Sequence, residues 1–259
     1  MNNLGFKRLS IEIKKFHESQ SVIPGIYINY DPENIFSIKA LIIGPEDTPY
    51  QYGNYLFKLN FDKDNYPFVP PAAKYESRSR DIRFNPNLYV NGKVCVSILG
   101  TWAGPQWTSC QTLTTVLMSL QTLLNDHPLG NEPGFETVTD SRNQVYNKII
   151  EYENFNVTIL KFLNGEVPEG FEIFLPIMRS EFIKNYPKIM EKVKNKKGLK
   201  ENLNCTVYSF KSCVDYQELE ANLVTLHSLL TLDDTTQQKS GSQPVLEEVV
   251  VNKVKTCKK

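Results

Sequence analysis

Apolar positions recur at helical spacing from the outset. Phe6, Leu9, Ile13 and Phe16 are separated by Lys7, Arg8, Glu12 and Lys15, which predicts an amphipathic first helix. The period then changes to two. In IFSIKALII, Phe36, Ile38, Ala40 and Ile42 alternate with Ser37, Lys39 and Leu41, and in NYLFKLNF, Tyr55, Phe57, Leu59 and Phe61 share one face. The stretch GPEDTPYQYG between them is dense in turn formers, and connections this short predict an antiparallel meander. YPFVPP, residues 66–71, cannot be a central strand, because its three prolines remove backbone donors. AAKYES reads as a fourth strand, and VCVSIL, after a loop to residue 93, as a short buried one.

Thr108 and Gln111 fit a capping box ahead of the stripe Leu113, Val116, Leu117, Leu120 and Leu124, so a helix is predicted over 109–124. NDHPLGNEPG breaks it. A further helix is expected over 141–163 and a helical pair over 176–197 and 214–231. Residues 233–259 are polar and then alternate Val with Lys and Glu, which reads as a mobile tail. The expected architecture is α+β: a four-stranded antiparallel sheet flanked by helices in a domain at 1–163, a helical C-terminal extension at 164–232, and the tail at 233–259.

Composition narrows the chemistry. Among 259 residues, 29 basic and 29 acidic side chains cancel, leaving no global field to hold nucleic acid or an anionic membrane. A local run, Lys184, Lys188, Lys192, Lys194, Lys196, Lys197 and Lys200 with only Glu191 opposing, reads as a solvated helix end, with weak contact to nucleic acid or an acidic partner as the sharper alternative. Five cysteines, odd in number and irregularly spaced, predict free thiols in a reducing compartment, the cytoplasm with the nucleus also open. Cys205 and Cys213 lack metal-ligand spacing, so no zinc is expected. The N-terminal stretch is not a signal peptide, and no apolar run approaches the ~20 residues of a membrane span.

Cys95 is the candidate nucleophile. Val94, Val96 and Ile98 share a face, which puts Cys95 and Ser97 on the other, and the Asn91-Gly92 turn just before should leave the sulfur near a loop mouth. A cysteine hydrolase needs a positioned histidine. Of His17, His127 and His227, only His127 falls where it could approach, the other two reading as surface residues. Transthiolation needs no strong base, only an amide to steady an oxyanion. Asn87, in the Asn85-Pro86-Asn87 turn eight residues before Cys95, could supply it. Cys110, expected in the first turn of a helix, is the rival thiol.

FKRLSIEIKKF, IIGPEDTPYQYGNYLFKLNF, NYPFVPP, FNPN, GKVCVSIL and WTSCQTLTTVLMSLQTLL, in unbroken order, resemble the ubiquitin-conjugating enzymes, the E2 class. NPNLYVNGKVCVSILGTWAGPQW and the later NEPGFE resemble the Z-type branch in particular. Asn85 stands where the family usually has histidine, as it does in that branch, Thr108-Ser109-Cys110 replaces Ser-Pro-Ala, and Ser97 takes a position that is often aspartate. The resemblance implies the UBC fold and a Cys95 thioester of ubiquitin, or a ubiquitin-like modifier, received from an activating enzyme and passed to lysines of protein substrates. It implies that Asn87 serves the oxyanion or the loop around it, and that Glu132 or its neighbour Asn131 orients and desolvates the lysine. Lys7 and Arg8 would face the activating enzyme, and Phe68 and Ser109 a RING-type ligase. No cofactor or metal is expected. The ATP belongs to the activating enzyme, since this chain has no phosphate-cradling glycine loop. The rival expectation is a non-catalytic ubiquitin-binding module of the same fold, in which the cysteine would be missing.

Overall fold

The computed structural model describes residues 4–19, 23–79, 81–137 and 139–239. A first helix, α1 (Leu4–Glu18), leads into four strands, β1 (Ile26–Asp31), β2 (Asn34–Ile43), β3 (Asn54–Asn60) and β4 (Ala72–Tyr75). They pair antiparallel in the order β1-β2-β3-β4. A tight turn joins the first two, held by the Glu33 amide donating to the Asp31 carboxylate at 2.9 Å. Helix α2 (Leu113–Thr122) follows a long loop region, and α3 (Ser141–Glu153) runs on as π-helical turns over Asn154–Glu166. The extension comprises α4 (Leu175–Lys194), the hairpin β5 (Lys200–Cys205) and β6 (Phe210–Asp215), and α5 (Tyr216–Lys239). Among the described residues, no helix is long and apolar enough to cross a membrane.

Leu9, Ile13 and Phe16 of α1 are buried in the core, whereas Phe6 is exposed. Ile26, Ile28, Ile38, Ala40 and Ile42 form one buried face of the sheet. Leu41, expected on the polar face with Ser37 and Lys39, is fully buried too. The extension covers that face. Tyr27, the register partner of Leu41, donates its hydroxyl to Glu181 of α4 at 3.2 Å, and Lys39 Nζ lies over the Phe171 ring at 5.7 Å. The lysine run is likewise not a free basic surface. Lys188 pairs with Glu46 at 2.8 Å, Lys197 with Glu220 at 3.4 Å, Lys200 with Asp215 at 2.7 Å, and Lys196 with Glu151.

The π-helical turns are tied to β3 by buried polar groups. The Tyr55 hydroxyl donates to Asn154 Oδ1 at 2.6 Å, and Asn54 Nδ2 to the Thr158 carbonyl at 2.7 Å. The approach is close enough that a Cβ on Gly53 would lie 1.7 Å from Asn154 Oδ1, which is why glycine is required there.

Three sequence expectations are corrected. Helix α2 is capped by Thr112 with Thr115, four residues after Thr108, so Cys110 lies in an exposed turn ahead of the helix rather than in its first turn. The hairpin β5–β6 was not expected within a helical extension. Helix α5 continues through 233–239, the start of the segment read as tail, while 240–259 lie outside the described residues.

Candidate active site

The loop ahead of Cys95 is built around Asn85, which is fully buried. Its Oδ1 accepts the Asn87 amide at 2.9 Å, and its Nδ2 donates to the Tyr50 hydroxyl at 2.9 Å and to the Leu123 carbonyl at 2.7 Å. Tyr50 in turn donates to the Phe84 carbonyl at 2.7 Å. One carboxamide thus closes the Asn-Pro-Asn turn and fastens it to the C-terminal end of α2. Burial holds the Tyr50 phenol above its ordinary pKa, so it stays a neutral donor.

The chain then doubles back. Gly92, at φ +91°, allows the turn over 89–93, where the Gly92 amide donates to the Tyr89 carbonyl at 2.9 Å. The turn docks on β4 through the Tyr75 amide, which donates to the Gly92 carbonyl at 2.9 Å. This brings Cys95 beside Asn87. The Cys95 amide donates to the Asn87 carbonyl at 2.9 Å, and Asn87 Nδ2 donates to the Cys95 carbonyl at 2.5 Å.

VCVSIL is not a strand. Val94 makes one isolated bridge with Leu88, and Ser97–Leu99 form a single 3-10 turn. The Thr101 hydroxyl pulls the segment back on itself, donating to the Val94 carbonyl at 2.8 Å and accepting the Val96 amide at 3.0 Å. Residues 100–106 are exposed and return over Ser97, where a Cβ on Gly104 would lie 3.1 Å from Ser97 Cβ. Beyond this segment Trp107 Nε1 donates to the Pro67 carbonyl at 2.8 Å. Cys95 is consequently 1 % exposed, not at a loop mouth. Cys205, in the extension, is buried as well, whereas Cys110 and Cys213 are exposed.

Asn131 and Glu132 lie on a separate loop after α2. Asn131 Nδ2 donates to the Leu123 carbonyl at 3.3 Å, the same oxygen that holds Asn85. Glu132 Oε2 accepts the hydroxyl of Tyr208, from the turn of the β5–β6 hairpin, at 2.6 Å. His127 packs over Gly130, where a Cβ would sit 2.5 Å from its Cδ2. His227, expected at the surface, is half-buried and stacks on Tyr186 at 3.7 Å between ring centroids.

Of the expected docking residues, Lys7 and Ser109 are exposed and Phe68 is 69 % exposed. Arg8 is half-buried and turned inward. It pairs with buried Glu12 and reaches the carbonyls of Ser109 and Gln111, each at 3.4 Å. A solvated helix-face reading cannot foresee this, because the acid that attracts it is itself hidden in the helix interface.

Comparison with known proteins decides the family. The family model for ubiquitin-conjugating enzyme matches residues 8–154. This chain belongs to the ubiquitin-conjugating enzyme family. Ubiquitin-conjugating enzyme E2 Z of Xenopus tropicalis is 38% identical over 211 residues, covering 79% of this chain and 66% of that protein. The Danio rerio E2 Z is 43% identical over 169 residues, covering 63% and 50%, and the Homo sapiens E2 Z is 41% identical over 167 residues, covering 63% and 46%. The chain therefore spans about half to two thirds of the length of these E2 Z relatives. The Z-type likeness and the UBC fold expected from the sequence both stand. Tyr50, Tyr208, the Leu123 carbonyl and Arg83, which donates to the Pro86 carbonyl, are the site's supports that sequence reasoning missed. The hairpin carrying Tyr208 left no clean signal either: burial alternates along Phe210–Asp215, but the buried set includes the polar Ser212 and the exposed set Cys213.

Proposed function

We propose that this chain is a working ubiquitin-conjugating enzyme. It receives ubiquitin or a ubiquitin-like modifier from an activating enzyme as a Cys95 thioester, and passes it to a substrate lysine, alone or with a RING-type ligase. The Cys95 thiolate attacks the carbonyl of the incoming thioester; a C–S bond forms to Cys95 and the activating enzyme's thiolate leaves. A neutral lysine amine then attacks the same carbonyl carbon. The C–N bond forms, the Cys95 C–S bond breaks, the sulfur leaves as thiolate and the surplus amine proton passes to water. No oxidant or cofactor enters either step.

The observation that carries this reading is the reciprocal pair of bonds between Asn87 and Cys95, on a turn that Asn85 closes and anchors. In this arrangement the Asn87 amide holds the loop. Its second N–H is the donor left to meet an oxyanion. Glu132 or Asn131 would orient the lysine and favour its uncharged form by excluding water.

The near-complete burial of Cys95 favours a second reading, a non-catalytic ubiquitin-binding module. One gel separates the two. With activating enzyme, ATP and ubiquitin, the enzymatic reading expects a reductant-sensitive adduct that Cys95→Ser converts to a reductant-resistant ester. Absence of any adduct favours the binding module, and a labile adduct surviving Cys95→Ser moves the nucleophile to Cys110.

A further inference from the structure

The turn of the β5–β6 hairpin reaches out of the extension and touches both the Glu132 loop and Arg83, which holds the Asn85-Pro86-Asn87 turn beside Cys95. Tyr208 is its contact residue, next to Ser209, which holds a left-handed backbone at φ +57°. The Tyr208 hydroxyl donates to Glu132 Oε2 at 2.6 Å, and among the described residues no hydrogen bond reaches Glu132 Oε1. The Tyr208 ring faces the Arg83 guanidinium at 4.3 Å, and Arg83 also lies over Tyr89 at 3.8 Å. Arg83 donates to the Pro86 carbonyl, inside the Asn85-Pro86-Asn87 turn.

The ring is not free to drift. Tyr146 meets it edge-on with centroids 5.9 Å apart, and the Tyr146 hydroxyl donates to the Arg83 carbonyl at 2.8 Å. Phe210 stacks on it in parallel at 6.5 Å. The hairpin itself is fastened to α3 by Ser212, whose hydroxyl donates to Glu153 Oε1 at 2.6 Å. The Leu123 carbonyl joins the same two loops through Asn85 and Asn131. The loops are therefore bridged twice, once by the core and once by the extension.

We propose that Tyr208 is a positioning residue for the transfer step. Its phenol fixes the Glu132 carboxylate by one oxygen and leaves the other for the incoming amine. Its ring fixes Arg83, and through Arg83 the turn that carries Asn87. This rests on the reading above that Cys95 is the acceptor and that Glu132 handles the lysine. Burial, then the neighbouring Glu132 carboxylate, keeps the phenol protonated, so it remains a donor throughout neutral pH.

Tyr208→Phe keeps the ring and removes the bond to Glu132. The full chain carrying it is first loaded with ubiquitin. Its thioester is then discharged to free lysine and, separately, to hydroxylamine, an amine already uncharged near neutral pH. A hydrogen bond to a charged group is strong enough that lysine discharge should fall roughly tenfold. Hydroxylamine discharge should stay within about twofold, because it needs neither orientation nor desolvation by a carboxylate. Glu132→Gln should slow lysine discharge as well, and adding Tyr208→Phe to it should bring no further loss.

Unchanged lysine discharge, equal loss to both nucleophiles, or fully multiplicative effects of the two substitutions would each overturn the proposal. Failure of Cys95→Ser to form its ester is a different result, and removes the acceptor reading beneath it. If that ester forms while Tyr208→Phe is silent, only the role of Tyr208 falls.

Discussion

Asn85 does the work of a loop clamp with a single flat carboxamide, using one oxygen and one nitrogen for three partners. A histidine in its place has two ring nitrogens, only one of which donates when neutral. The same economy applies at Asn87, whose amide bonds the Cys95 carbonyl. Replacing Asn87 by alanine removes that bond and, in the proposed mechanism, an oxyanion donor. Loading at Cys95 should proceed normally while discharge to lysine slows by roughly a hundredfold, the low end for loss of one such donor. Single-turnover loading and discharge, measured separately on the same preparation, check this, and equal slowing of both would count against the donor role. The sequence singled out Asn87 and Cys95 by residue type and spacing, and the structure brings the two together. The burial of Cys95 was not foreseen, because VCVSIL reads as an alternating strand whereas the segment turns back through the Thr101 hydroxyl and a 3-10 turn.

At the scale of elements, α1 and α2 are joined by a buried acid that has no counterpart in the hydrophobic pattern. Glu12 accepts the Tyr66 hydroxyl at 2.6 Å and the Leu113 amide, the first of α2, at 2.8 Å, and pairs with Arg8. Its charge also lies at a helix N-terminus, where the macrodipole favours an anion. Glu12→Ala leaves Arg8, Tyr66 and that amide without their partner. It should cost about 3 kcal/mol, toward the lower end for a broken buried pair because Arg8 is partly solvated. The midpoint of urea unfolding measures it, and a loss below about 1 kcal/mol would mean that water replaces the carboxylate freely. Helical spacing placed both helices but mispositioned the cap: Gln111 Oε1 does accept the Thr108 amide at 3.2 Å, but only the Thr112 hydroxyl accepts a backbone amide three residues on and opens the helix. The β5–β6 hairpin escaped because β5 buries only Leu203 and Cys205 among polar residues.

Across the whole molecule the extension acts as a second wall of the core. Leu41 reads as a half-exposed strand residue only while residues distant in sequence are ignored. Once Phe171 and Glu181 arrive beside its neighbours, Leu41 is shut off from water, while Tyr27, Ser37 and Lys39 around it stay half-buried. The exposed ion pairs between the two parts, such as Lys188 with Glu46, contribute little individually. Attachment rests instead on buried apolar side chains, among them Phe171, Phe174, Met178 and Phe182. Each is worth about 1.5–3 kcal/mol when withdrawn from water. A chain cut after residue 166 should therefore unfold at a markedly lower urea concentration than the intact protein, and bind a hydrophobic dye at its bared sheet face. It should also discharge its thioester to lysine more slowly than Tyr208→Phe, because it loses both the phenol and the ring that steadies Arg83. An unchanged unfolding midpoint would make the extension a satellite resting on a self-sufficient core. An unchanged midpoint with slowed lysine discharge would separate its two roles, leaving the hairpin's hold on the loops as the reason this family member carries it.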